Sequence, residues 1–249
     1  MTYIQVSGRR IWHEVTGDGP PVVLLHGGFS GADAFAAQTP ALVADGWRVH
    51  VPERRGHAHT PDGDGEFSYA AMADETVSYL EQELAQPVPL VGWSDGAIVA
   101  VLVALRRPDL VARMALIGQY YNSDGQVPDS RLAAFLHTEE AKDYLRRDYD
   151  PVSPDGPEHF GVIYAKMMRM IDNEPELDLD DFAAITVPVL VLQGDRDEVR
   201  LEHSQQVVAA LPDARLAVLP GTHGLPAEAP ELVNPLLIAF LRGRTGAGS

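Results

Sequence analysis

Residues 88–99 read VPLVGWSDGAIV, an apolar run that passes through a glycine-flanked serine into a second apolar run. The first run has the composition of a buried strand, and the second has the spacing of a helix. A strand-to-helix turn this short strains the backbone at Ser94, and Gly92 and Gly96 let two backbones approach without Cβ clashes. The pattern therefore predicts a serine whose hydroxyl is exposed at the carboxyl end of a strand.

The rest of the chain repeats this alternation of strand and helix. Helical spacing occurs at about 32–44, 69–84, 95–106, 200–211 and 228–242, and two polar-alternating segments at Tyr3–Val6 and Arg10–Val15 predict an antiparallel hairpin at one edge. Such an order implies a mostly parallel, doubly wound sheet with helices on both faces, an α/β fold. The other predicted strands are Val22–Leu25, Arg48–Val51, Met114–Ile117, Val187–Leu192 and Leu216–Leu219.

From about residue 119 to 184 the chain contains no strand-like run, and this predicts a helical cap, residues 119–186, inserted between two sheet strands. The body would then comprise residues 1–118 and 187–249. One apolar stripe has the spacing of a single helix face and could either line a pocket or pack the cap onto the body, the second being favoured. Leu132, Phe135 and Leu136 begin another helix; the stripe itself is Phe160, Ile163, Tyr164, Met167, Met168 and Ile171.

A serine hydroxyl needs a base and an orienting acid, and in this architecture they follow the serine in the order acid, histidine. His223 comes directly after the last predicted strand and is the expected base. Asp195 and Asp197 both follow the preceding strand. Asp197 is preferred, because the residue further from the strand can curl back toward the histidine, whereas Asp195 more naturally caps the turn.

Acyl transfer also requires two hydrogen-bond donors for the oxyanion. The backbone N–H of Asp95, the residue after the nucleophile, is the first expected donor. The loop His26-Gly27-Gly28-Phe29-Ser30 follows an earlier strand, and its glycines allow N–H groups to turn inward. Gly28 is the preferred second donor, and Phe29 is the next candidate.

Composition narrows the classes of partner. The 249 residues carry 36 Asp and Glu against 19 Lys and Arg, a formal charge of −17, which disfavours nucleic acids and anionic membranes and mildly attracts cationic small molecules. No cysteine is present, so disulfides, thiolate metal sites and a cysteine nucleophile are excluded. No dinucleotide fingerprint, recognisable metal-ligand spacing, membrane helix or signal peptide is visible. We therefore expect a cytoplasmic protein without cofactor or metal; its oligomeric state is left open.

Together, these segments resemble the α/β-hydrolase fold family from about residue 10 to 242. Residues 52–57, PERRGH, also resemble the Arg-Gly-x-Gly turn of that family, with Ala58 in place of the usual glycine. Gly-Trp-Ser-Asp-Gly is similar to the valacyclovir hydrolase (biphenyl hydrolase-like) branch, in which the aspartate helps to recognise the α-amino group of amino-acid esters. This resemblance implies that Asp95 binds substrate, with its side chain at the mouth of the acyl pocket. Phe29 and Tyr120 are further expected substrate-binding residues.

The leading functional prediction is a serine hydrolase that cleaves small carboxylic esters through an acyl-enzyme and prefers α-amino acid esters. A perhydrolase or haloperoxidase-type enzyme would use the same Ser94, Asp197 and His223. A non-catalytic receptor of the hydrolase fold, binding a small ligand, is the third class, and an intact triad argues against it.

Overall fold

The computed structural model describes residues 1–243, in which eight strands form one sheet with the order β1-β2-β4-β3-β5-β6-β7-β8. The pairs β1–β2 and β2–β4 are antiparallel, and every other neighbouring pair is parallel. The predicted α/β fold and its edge hairpin are therefore confirmed. The strands are β1 Thr2–Val6, β2 Arg9–Thr16, β3 Pro21–Leu25, β4 Arg48–Pro52, β5 Val88–Trp93, β6 Val111–Ile117, β7 Val189–Gly194 and β8 Ala214–Leu219.

Helices cover both faces of this sheet. Several begin at a side-chain cap that satisfies a free backbone donor: Ser68 Oγ accepts a hydrogen bond from the Ala71 N–H, and Ser130 Oγ accepts one from the Ala133 N–H. The helices are α1 Gln38–Ala44, α2 Tyr69–Glu83, α3 Asp95–Arg106, α4 Arg131–Leu136, α5 Glu139–Tyr149, α6 Phe160–Asn173, α7 Leu201–Ala210, α8 Leu225–Glu228 and α9 Pro230–Leu241.

Alternate residues of the central strands bury into two separate cores. Val23, Leu25 and Leu90 pack in a core with residues of α2, α3 and α6, whereas Leu24 and Val91 pack in a second core with residues of α1 and α9. Each of these five side chains is fully buried. Because a parallel sheet buried on both faces is held by packing from two sides, its carboxyl edge is a rigid platform.

The chain between β6 and β7 contains α4, α5 and α6, and we call residues 119–186 the cap. None of these residues adds a strand to the sheet; within the described chain, only an isolated bridge joins Gln126 to Val199 on the body. The predicted stripe lies on α6, where Ile163 and Met167 are buried. Packing of the cap onto the body is therefore the main role of the stripe, as favoured above.

The structure differs from the sequence-based expectations in two local features. The single helix predicted at 32–44 is wrong: a 3-10 turn at Ala32–Phe35 precedes α1. Helix α5 was not predicted, because charged and polar residues dominate it and only Ala141 and Tyr149 are buried. The boundaries of cap and body stay predictions, and residues 244–249 lie outside the described residues.

Candidate active site

Ser94 lies between β5 and α3 with φ 54° and ψ −123°, a left-handed backbone conformation that costs energy for a residue with a side chain. A Cβ at Gly96 would lie 1.9 Å from the Leu25 carbonyl oxygen, and one at Gly92 would lie 2.4 Å from the Gly96 oxygen. The turn can therefore close only with glycine at both positions. The predicted strained turn is present, and β3 and α3 are in close backbone contact beside it.

Ser94, His223 and Asp197 form a continuous hydrogen-bonded series. His223 Nε2 lies 2.9 Å from Ser94 Oγ, and His223 Nδ1 lies 2.8 Å from Asp197 Oδ1. These groups come from the ends of β5 and β8 and from the turn after β7, which meet at the carboxyl edge of the sheet. The arrangement allows the imidazole to accept a proton from the serine hydroxyl while the carboxylate fixes its tautomer.

The two candidate acids have different neighbours. The Asp197 side chain is 1% exposed, and Oδ1 also accepts a hydrogen bond from the Val199 N–H. The Asp195 side chain is 52% exposed, and its Oδ1 accepts a hydrogen bond from the Gly221 N–H. Asp197 therefore contacts the imidazole, and Asp195 holds the turn after β8, as the sequence argument favoured.

The His223 imidazole is held from several directions. Trp93 Nε1 donates a 2.8 Å hydrogen bond to the His223 carbonyl oxygen, and a Cβ at Gly118 would lie 2.9 Å from the imidazole Cε1. Burial tends to lower the pKa of His223, but the hydrogen bond and charge of Asp197, with the charges of Asp95 and Glu198, raise the pKa above its ordinary value overall. Protonated His223 is therefore stabilised, as a general base requires in the transition state.

The loop His26–Ser30 passes directly beside Ser94 and is tied down by Arg54. The Arg54 backbone N–H donates to His26 Nε2 at 3.1 Å, and Arg54 Nη2 donates to the Gly27 carbonyl oxygen at 3.0 Å. Phe29 has φ 56°, a second left-handed non-glycine residue at the site. Gly28 and Phe29 both line the cavity that contains Ser94, so both remain candidates for the second oxyanion donor.

Asp95 requires a correction, because its side chain does not lie at the mouth of the pocket. It is 3% exposed and is absent from the lining of the cavity at Ser94. Its Oδ1 accepts a 2.8 Å hydrogen bond from the Tyr69 hydroxyl of α2, and a Cβ at Gly28 would lie 2.7 Å from its Oδ2. The carboxylate therefore lies beneath the Gly28 loop, where no partner for Oδ2 exists among the described residues.

Burial and charge act against each other at this buried carboxylate. Burial raises the pKa of Asp95, while the nearby Arg54 guanidinium and the Tyr69 hydrogen bond lower it. Burial lowers the pKa of Arg54 to about 10, and the Asp95 charge opposes that shift. Arg54 Nε and Nη1 also have no partner within residues 1–243. Burial outweighs these charges, so the pKa of Asp95 lies above its ordinary value and the pKa of Arg54 lies below its own.

Two connected spaces reach Ser94 and His223. The wide cavity, of about 720 Å³, is lined by the Gly27–Phe29 loop, Trp93 and residues of the cap, including Leu132 and Ile171. A small recess of about 80 Å³ is lined by Tyr120, with Gln126, Ser130 and Val199. Among the expected substrate-binding residues, Phe29 therefore lines the wide cavity and Tyr120 the recess.

The sequence argument missed Arg54 as a support of the loop, Tyr69 as the partner of Asp95 and the cap residues that line the cavity. The resemblance of residues 52–57 to a turn of the family was the sequence feature that could have indicated Arg54. Tyr69 and Leu132 carried none, because their contacts join helices that are distant in sequence. Within residues 1–243, no group of three or more His, Cys, Asp or Glu residues could hold a metal ion, and no helix has the length and apolarity needed to cross a bilayer.

Comparison with known proteins agrees with this fold and site. The model of the Alpha/beta hydrolase family matches residues 22–236, and the chain belongs to that family. The meta-cleavage product hydrolase CumD from Pseudomonas fluorescens IP01, in complex with acetates, superposes with a TM-score of 0.79 over 98% of both chains at 22% identity. At that identity the likeness describes the fold alone. Hydrolase activity is supported by the family.

The relatives differ in what their names say they do. The chain is 29% identical to a non-heme haloperoxidase of Rhodococcus erythropolis, over 97% of this chain and 99% of the relative. It is 26% identical to pyrrolizixenacetamide deacetylase of Xenorhabdus hominickii, over 97% and 98%. It is 24% identical to the human serine hydrolase BPHL, over 96% and 85%. These identities are similar, so they do not assign the chain to the valacyclovir hydrolase branch.

Proposed function

We propose that this α/β hydrolase is a serine hydrolase that cleaves small carboxylic esters through an acyl-enzyme. The observation that carries the proposal is the pair of hydrogen bonds, 2.8 and 2.9 Å long, that links Asp197, His223 and Ser94 at a strained strand-to-helix turn. A serine hydroxyl bonded to an imidazole that is itself bonded to a buried carboxylate is the arrangement for nucleophilic catalysis.

Each group has a defined step. His223 Nε2 accepts the Ser94 proton as Oγ attacks the ester carbonyl, and the backbone N–H groups of Asp95 and of Gly28 or Phe29 donate to the resulting oxyanion. Protonated His223 then gives its proton to the departing alcohol. Water then attacks the acyl carbon as the same imidazole takes its proton; the bond from that carbon to Ser94 Oγ breaks, the acid leaves, and the imidazolium returns the proton to Oγ. No metal or organic cofactor takes part, so EDTA should leave the activity unchanged.

The test is turnover of 4-nitrophenyl acetate together with labelling by a fluorophosphonate probe. Wild type should hydrolyse the ester and take up the probe, and Ser94→Ala should lose the label and at least about a thousandfold in kcat. A Ser94→Ala protein that is folded by circular dichroism and keeps more than about a tenth of the activity would overturn the proposal. Wild type that is inactive on all esters and unlabelled would support the receptor reading.

A preference for α-amino acid esters, as in the valacyclovir hydrolase branch, is the finer part of the proposal. Its support is the buried Asp95 Oδ2, which lacks a partner among the described residues and lies against Gly28. An ammonium would have to shift the Gly28 loop to reach this carboxylate and would share it with Arg54, so we expect only the small end of a charge-assisted hydrogen bond, about tenfold in kcat/KM.

Asp95→Asn tests this preference, since it keeps the shape and the backbone donor and removes the charge. Valine benzyl ester is compared with benzyl 3-methylbutanoate, which lacks the amine. The variant should lose the preference for the amino ester. Equal slowing of both esters would make Asp95 a support of the loop and the enzyme a general esterase.

Perhydrolysis is a second candidate, favoured by the relative named a non-heme haloperoxidase. Peroxide would then attack the acyl-enzyme in place of water. Wild type and Ser94→Ala are assayed for bromination of monochlorodimedone with peroxide, bromide and acetate. Serine-dependent bromination faster than ester hydrolysis would favour this second activity.

The cytoplasm stays the predicted location, which cell fractionation tests.

A further inference from the structure

The wide cavity carries more positive charge than this acidic chain would lead one to expect. Arg131 at the start of α4 and Arg196 in the turn after β7 both line it, and Glu198 is the one acidic residue among the described lining residues. The chain as a whole has a formal charge of −17. Two arginines at one cavity therefore place positive charge on a negatively charged protein, and a ligand with a negative group would be attracted to them.

Neither guanidinium is engaged by a close acceptor on the protein. The exposed Arg131 side chain makes no hydrogen bond or ion pair within residues 1–243. The Arg196 side chain is 76% exposed, and its contact with Asp195 Oδ1 is long, at 3.8 Å. One arginine comes from the cap and the other from the body, so both can contact a group bound where cap and body meet.

The small recess has the opposite character. Glu198 lines it too, but no lysine or arginine does, and the polar groups other than Ser94 and His223 are neutral: Tyr120, Gln126 and Ser130. A carboxylate there would meet the like charge of Glu198 without an arginine or lysine to balance it. An anionic arm of the substrate is thus favoured in the wide cavity and disfavoured in the recess.

The volumes of the two spaces indicate which one holds the acyl group of the ester and which one holds the departing alcohol. The acyl group stays bound to Ser94 until water releases it, whereas the alcohol must depart after the first step. The recess of about 80 Å³ suits a short acyl group, and the wide cavity of about 720 Å³, with Arg131 and Arg196 exposed at it, suits the departing group.

We propose that the preferred esters carry a carboxylate on the leaving group, bound by Arg131 and Arg196, and a short acyl group in the recess. This inference rests on the proposed ester hydrolysis. Because exposed ion pairs contribute little individually, we expect each arginine to account for about threefold in kcat/KM and the two together for roughly tenfold.

The test compares 4-acetoxybenzoate with 4-acetoxybenzamide, which differ in charge on the leaving group. The ratio of their kcat/KM values is measured for wild type, Arg131→Gln, Arg196→Gln and the double variant, so that intrinsic reactivity of the two esters cancels between proteins. The double variant should lower the ratio roughly tenfold, and about 0.5 M NaCl should lower it in wild type by screening.

Matched controls are Arg147→Gln on the cap and Arg215→Gln on the body, two exposed arginines that do not line either space. Both should keep the wild-type ratio. A second pair, 4-nitrophenyl hydrogen adipate and 4-nitrophenyl hexanoate, places the carboxylate on the acyl arm instead. Its ratio should be low in wild type and should not fall in the double variant.

The outcomes separate this inference from the function on which it rests. If neither acetate ester is hydrolysed by wild type, the ester hydrolase proposal itself fails. If both are hydrolysed but the double variant keeps the wild-type ratio, or the controls lower it equally, the carboxylate site is overturned and the hydrolase stands. A fall confined to the adipate pair would overturn the assignment of the two arms.

Discussion

The body and the cap both reach Ser94, but their helices are packed very differently. In α3, which begins directly after Ser94, nine of the twelve residues are buried. In α4, which supplies Arg131 and Leu132 to the wide cavity, none of the six residues is buried. A residue fixed by packing on all sides can hold a reacting atom in place. Substitution of an exposed residue, in contrast, changes the free energy of unfolding little. If the proposed function holds, we expect substitutions in the body to affect kcat and substitutions in α4 to affect the choice of substrate.

The largest expected effect concerns the body and its two neighbouring acids. Asp197→Asn removes the carboxylate that orients and charges His223, so kcat should fall by about a thousandfold or more. Asp195→Asn is the matched control, because it alters only a half-exposed turn contact, and it should change kcat by less than about threefold. Steady-state kinetics on 4-nitrophenyl acetate decide between them. Greater damage from Asp195→Asn would show that the acid is misassigned.

Stability should separate the two regions next. Leu24→Ala in the fully buried β3 should lower the free energy of unfolding by about 2–5 kcal/mol, because it removes apolar contacts and leaves a cavity. Leu132→Ala on the half-buried face of α4 should cost less than about 1 kcal/mol but alter KM, since Leu132 lines both spaces at Ser94. Urea unfolding gives both values. Comparable destabilisation by the two variants would remove the distinction.

The pH dependence of kcat/KM tests how charged groups of the body set the pKa of His223. Since neutral His223 accepts the Ser94 proton, kcat/KM should rise with pH through the raised pKa of the imidazole, above its ordinary value of 6.5. Asp197→Asn should move this midpoint to lower pH. The same raised pKa stabilises the fold below the unfolded-state pKa, and this contribution is lost as pH rises through the folded pKa. A wild-type midpoint well below 6.5 would contradict the raised pKa.

The smallest expected effect concerns the indole that holds the His223 loop. Trp93→Phe removes one hydrogen bond to the His223 carbonyl oxygen and should lower kcat by about three- to tenfold, the equivalent of roughly 1 kcal/mol. Trp47→Phe is the control, because its indole, a buried member of the second core, also donates one hydrogen bond, to Asp45. If both variants behave alike, Trp93 acts through general stability and not through His223.

The strands and helices of the body could be predicted because a short stretch of sequence indicates each of them. A glycine-flanked serine between a strand pattern and a helix pattern indicates Ser94, and a histidine after the last strand indicates His223. Helix α3 begins and ends at the predicted residues 95 and 106. Choosing Asp197 over Asp195 also needed only distance from the end of β7.

Side-chain direction and long-range contacts could not be predicted in this way. The Asp95 carboxylate turns away from the pocket because the Tyr69 hydroxyl lies within hydrogen-bonding distance and the Arg54 charge partly offsets its burial, and both come from other parts of the chain. No local pattern indicates such a pairing. The shape of the wide cavity also depends on how α4 and α6 pack over the sheet. The polar segment between them, α5, does not indicate that packing.

No residue of α4, Arg131–Leu136, is buried, and this has a consequence for how the substrate range of a hydrolase with this cap can change. Substitutions there leave the cores intact, so a randomised library at these six positions should express almost as well as wild type while sampling many cavity shapes. Descendants selected from it would inherit an unchanged nucleophile and acquire new preferences. One short surface helix thereby makes substrate range a heritable trait that changes faster than the reaction itself.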